Sequence, residues 1–161
     1  MDSRLVGRSG LIAMLTAFGV LFAYAQRTAS DSRPEAPPGE NPSIPQAQLI
    51  QPEALDKLLK GARADKPLIL QVGSHVLYAD AHIPGAQYTG PAGLQGRVES
   101  LPRAKLIVLY CGCCTWNRCC NVSPAFTKLR SMGFTNVRVL YLADNFGISW
   151  VNKGYRAEQG R

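Results

Sequence analysis

Three apolar runs of strand length, residues 68–72, 106–110 and 137–142, are separated by stretches with helical spacing. No other feature constrains the chain as tightly. Largely apolar runs of this length suit strands buried on both faces, and strands connected through helices pair in parallel. The expectation is an α/β fold, a parallel sheet flanked by helices, in a single domain. The first helix is expected from Pro52 to about residue 64, with proline at its first position and Ala54, Leu55, Leu58 and Leu59 on one face. Residues 75–96 read as loop, with turn signals at Pro84-Gly85 and Gly90-Pro91, and residues 97–101 as a short helical piece. A further helix is expected behind Ser123 as N-cap, with Pro124 in its first turn, Phe126, Leu129 and Met132 facing the core, and Gly133 at its end. Residues 145–153 carry Phe146 and Trp150 as a last helix stopped by Gly154.

The second apolar run leads directly into Cys111-Gly112-Cys113-Cys114-Thr115-Trp116-Asn117-Arg118-Cys119-Cys120, which holds all five cysteines of the protein. In α/β proteins, loops at the carboxyl ends of strands are where ligands bind. Loop N–H groups and the start of the next helix favour negative charge there, and so favour thiolate, the nucleophilic form. A disulfide scaffold is a poor account of these residues. Their number is odd, and their clustering leaves no bridge to staple distant segments. They read as a site.

The first 25 residues read as a signal peptide: Arg4 and Arg8, an apolar stretch over 11–23, then Ala23-Tyr24-Ala25 as a cleavage site. The expected address is exported, periplasmic or secreted, with membrane contact only through this segment if it stays attached. Five prolines between Pro34 and Pro45 mark residues 26–47 as a disordered tether, and residues 48–161 as the folded domain. Losing two arginines and one aspartate with the signal takes the net charge from +7 to +6. The basic residues are scattered, which suits small anions and argues against a nucleic-acid partner.

Residues 49–155 resemble a rhodanese-like domain. The resemblance runs in order through His82-Ile83-Pro84-Gly85-Ala86, through Tyr110-Cys111 at a strand end, and through Gly133-Phe134-Thr135-Asn136-Val137 with Trp150 and Gly154-Tyr155 beyond. It implies sulfur transfer. Cys111 would be the catalytic nucleophile, taking a sulfane sulfur from a small anionic donor such as thiosulfate and passing it to a thiol acceptor. Arg118 would bind the donor, with Gly112 and Trp116 lining its place. No resident cofactor is expected for that chemistry.

The chain also departs from the family pattern. Gln71-Val72-Gly73 stands where the family often has an acidic residue and an arginine. The cysteine loop is long: Arg118 lies seven residues after Cys111 but five after Cys113, so Cys113 is an alternative nucleophile. Cys113, Cys114, Cys119 and Cys120 leave three roles open. They suit redox resolution of Cys111, a local disulfide, or a zinc or iron–sulfur centre. The rival functions are therefore a metal-binding or thiol-redox module on the same fold, or a fold kept for protein binding. His82 and Trp150 read as structural, and Trp116 as either a shield for the sulfur or a packing anchor.

Overall fold

The computed structural model describes residues 44–62, 66–90 and 93–160. The expected signal peptide lies outside the described residues, as does the expected tether up to residue 43. From there the chain is already built into the domain. Ile44 is buried in the core, and Gln46–Gln48 forms one turn of 3-10 helix.

The elements are β1 (Leu49–Ile50), α1 (Pro52–Lys60), β2 (Leu68–Gln71), α2 (His75–Asp80), β3 (Gln87–Tyr88), α3 (Leu94–Val98), β4 (Ile107–Tyr110), α4 (Val122–Ser131), β5 (Val137–Leu140) and α5 (Phe146–Ser149). The strands form one sheet in the order β1-β5-β4-β2-β3, and every pairing is parallel. The three apolar runs are its three central strands. In register, Leu68 pairs with Ile107 and Gln71 with Tyr110, while Ile107 also pairs with Val137.

Side chains alternate across the pleat, so each central strand feeds two cores. Ile107 and Leu109 of β4 pack with Leu70, Val139 and the inner face of α4, Val122, Phe126 and Leu129. Val108 and Tyr110 face the other way, onto Leu55 of α1, Tyr78 of α2, Phe146 of α5 and Trp150. Cys111 continues the alternation of Ile107 and Leu109 and joins the α4 side.

Several boundaries differ from the sequence reading. The edge strands β1 and β3 have two residues each, too short to leave a period in the sequence. The stretch read as loop contains α2, whose helical turn exposes Val76 and Leu77 and buries Tyr78. The short helical piece lies earlier, as α3. The helix after the cysteines begins at Val122 with Asn121 ahead of it, so Ser123 is inside the helix and not its N-cap. The last helix is α5, capped by Asn145, whose side chain accepts from the Ile148 N–H; a separate 3-10 turn, Val151–Lys153, follows it.

Two expectations for structural residues hold. The His82 Nδ1 lies 2.8 Å from the Tyr78 carbonyl, its ring stacks on Tyr78 with centroids 4.1 Å apart, and its backbone pairs with Glu158. Trp150 is fully buried and donates its indole N–H to the Arg156 carbonyl at 2.9 Å.

Candidate active site

The site stands at the carboxyl edge of β4. Cys111 leaves the strand buried, and its Sγ lies close against Gly73 at the end of β2: a Cβ at that glycine would stand 3.0 Å from the sulfur. The absence of a side chain at Gly73 therefore makes room for this thiol. Gly112 is equally confined, because a Cβ there would meet Phe146 at 3.1 Å. Its carbonyl accepts the Phe146 N–H at 3.2 Å, and the Ala143 carbonyl accepts the Trp116 N–H at 3.3 Å. These two bonds pin the cysteine loop to the segment between β5 and α5.

Four of the five sulfurs are brought together. The Cys113 Sγ is 3.0 Å from the Cys111 Sγ and 3.2 Å from the Cys114 Sγ. The sulfurs of Cys111, Cys114 and Cys119 all lie within 4.8 Å of one another, close enough to share one metal ion. Cys120 is exposed and turned away, 3.7 Å from the Asn121 Oδ1.

The sulfurs face two kinds of space. Cys111, Cys114 and Cys119, with Trp116, Val122, Leu140 and Leu142, line a small cavity of about 10 Å³. Cys113 is exposed and lines two open clefts. One, of about 320 Å³, reaches Gln71, Tyr110, Gly112, Asn145 and Phe146. The other, of about 540 Å³, holds Arg118, with Cys114 and Asn117 beside it and Asp144 opposite in charge. Trp116 is turned inward, its ring 5.4 Å from that of Tyr141, lines the small cavity and is buried in the core on the α4 side.

Burial holds the Cys113 and Cys114 thiols above the ordinary range, while the hydrogen bond of Cys113 with Cys111 and of Cys114 with Cys113 pulls each part of the way back. The Cys119 thiol is pushed up further, by its hydrogen bond to Cys111, then by burial and by the Cys111 charge. The backbone N–H groups of Val122 and Asn121 pull it the other way. The start of α4 thus serves Cys119, whereas the sequence expectation directed it at Cys111. What reaches Cys111 is the Asn121 side-chain amide, with Nδ2 3.8 Å from the sulfur. Asn121, the residue after Cys120, is a site residue the sequence reading missed, as are Gly73, Leu140 and Leu142, which come from other elements and reach the loop only through the fold. Gln71 is 1% exposed; its amide nitrogen donates to the Ser74 carbonyl at 3.4 Å, while its Oε1 has no partner among the described residues.

A thiol loop at the carboxyl edge of an all-parallel sheet, between two helical layers, defines an α/β protein with a cysteine-centred site. The rhodanese-like domain profile matches residues 51–142, and the chain belongs to that family. The Alr3790 protein from Anabaena sp. has a similar structure, with 26% identity and a TM-score of 0.54 over 69% of this chain and 92% of that one. BH2092 from Bacillus halodurans, at 20% identity and a TM-score of 0.56 over 69% of this chain and 76% of its own, shares the fold. A thiosulfate sulfurtransferase from Pseudomonas aeruginosa is 26% identical with a TM-score of 0.56 over 72% of this chain, which spans 20% of that protein. No curated protein matches the chain.

Proposed function

We propose that the protein is a sulfurtransferase that moves a sulfane sulfur through the Cys111–Cys113 pair. The observation that carries this reading is the 3.0 Å contact between a buried sulfur at the strand end and an exposed one at the mouth of a cleft containing Arg118. The guanidinium favours an anionic donor such as thiosulfate. The Cys113 thiolate attacks the outer sulfur of the donor. A new S–S bond forms, the old one breaks, and sulfite leaves with the bonding pair. Cys113 is left as a persulfide. The Cys111 thiolate then takes the outer sulfur by the same exchange, freeing Cys113 as thiolate. Held at Cys111, the persulfide is shielded until an acceptor thiolate attacks its outer sulfur, taking it and leaving Cys111 as thiolate. The exported address belongs to the same proposal, supported by Arg4, Arg8 and the Ala23-Tyr24-Ala25 site.

Peptide mass spectrometry of reduced protein after thiosulfate treatment tests it. Wild type should gain one sulfur, resting on Cys111. Cys113→Ser should fail to load, and Cys111→Ser should load on Cys113 but lose transfer to a thiol acceptor. Absence of any adduct with several sulfane donors sinks the enzymatic reading; full transfer by Cys111→Ser sinks the role given to that residue.

A further inference from the structure

We propose that Cys111, Cys114 and Cys119 form a binding site for a soft monovalent cation, copper(I). The sulfurs lie within 4.8 Å of one another and line a small cavity of about 10 Å³. That volume is roughly one water-sized sphere. The remaining walls are Trp116, Val122, Leu140 and Leu142, so the side chains facing the cavity offer sulfur and hydrocarbon and no oxygen ligand.

Thiolate sets select copper(I), zinc or iron–sulfur clusters, and the donor count decides among them. Structural zinc takes four ligands in a tetrahedron. Here the rest of the cavity lining is one indole and aliphatic side chains, which offer no fourth ligand. Iron–sulfur clusters take four cysteines and contain several atoms, more than this cavity admits. Copper(I) is satisfied by few soft ligands among apolar side chains. Cys113 is the nearest further thiol, but it is exposed and lines the two open clefts, not the cavity, whereas Cys114 lines both the cavity and one cleft. Three thiolates around a single positive charge leave excess negative charge. The Asn121 amide at Cys111 and the N–H groups of Asn121 and Val122 at Cys119 stand where they offset it.

Each thiol that becomes a ligand releases its proton to solvent, and copper stays monovalent, so no electron is exchanged. One Cys111 sulfur cannot carry both the ion and a sulfane sulfur, so occupancy blocks sulfur transfer. The inference does not rest on the transfer reading, in which Cys114 and Cys119 take no part.

The full chain, reduced and anaerobic, is titrated with copper(I) as its acetonitrile complex against a chromophoric chelator, and separately with zinc(II). Wild type should withdraw a single copper per chain from the chelator and take up no stoichiometric zinc. Cys113→Ser and Cys120→Ser should keep the copper, and Cys114→Ser and Cys119→Ser should each lose it. Copper retained by both of the latter variants, copper lost in Cys113→Ser, or stoichiometric zinc uptake would overturn the proposal. X-ray absorption on copper-loaded wild type gives an answer independent of how the variants fold. A shell of three sulfurs supports the site, and any other shell overturns it.

Discussion

Tyr110 immediately precedes the first cysteine and shows how a single group links the site to stability. It is 1% exposed, and its Oη accepts the Ile83 N–H at 3.3 Å. Burial raises its pKa far above the ordinary value, the Ile83 N–H opposes this, and the neighbouring Tyr78 and Cys111 add to it. The folded state therefore keeps a proton that the unfolded state loses near pH 10. Stability from this group is complete below about pH 10 and drains away as pH rises toward the folded value. Tyr110→Phe should cost about 1–3 kcal/mol at neutral pH, because the Ile83 N–H is left buried without its partner. The gap from wild type should shrink above about pH 10. Urea unfolding of both proteins across that range measures it; a constant gap contradicts the assignment.

At the scale of the element, α4 connects the cysteine loop to β5 and is held at its far end by a Schellman motif. The Phe134 N–H donates to the Leu129 carbonyl at 3.1 Å and the Gly133 N–H to the Arg130 carbonyl at 3.0 Å, with Gly133 at φ 85°. Leu129 and Phe134 are buried in the same core. Gly133→Ala forces a side chain into the left-handed region, and the expected loss is about 1–2 kcal/mol, read as a lower Tm. Cysteine alkylation should be unchanged, because the motif lies at the opposite end of the helix. This C-terminus was legible in the sequence, since glycine there has a backbone reason. The N-terminus was not. Asn121 and Ser123 offer similar N-cap signals, and the burial of Val122 in the core with Ile107 and Leu109 goes with a helix that begins at Val122.

Across the whole molecule, the sequence showed the layers and the central strands because continuous apolar runs report burial on both faces. It showed neither edge strand. Two residues carry no period, and their pairing comes from neighbours far along the chain. The same limit applied to the site. Clustering of the cysteines was plain, but not which sulfurs turn inward, since that depends on Leu140, Leu142 and Trp116 meeting across the sheet end. The start of the folded unit was likewise hidden in a proline-rich composition. Ile44 is 5% exposed, and the Arg138 guanidinium donates to the Ala47 carbonyl, tying this segment to β5. Ile44→Ala should therefore lower stability by roughly 2–5 kcal/mol, measured by chemical denaturation; a neutral result would remove this segment from the folded unit.

The position of Cys111 in step with Ile107 and Leu109 has a consequence for how this chain can change. Inserting or deleting one residue within β4, with the strand ahead of it held in register, would turn the cysteine to the other side of the sheet. The thiol would then emerge on the layer of Tyr78, Phe146 and Trp150 and leave its place on the α4 side. Indels that preserve this thiol must therefore come in pairs or fall in the turn before residue 107, which gives a simple filter for designed libraries and for natural variants.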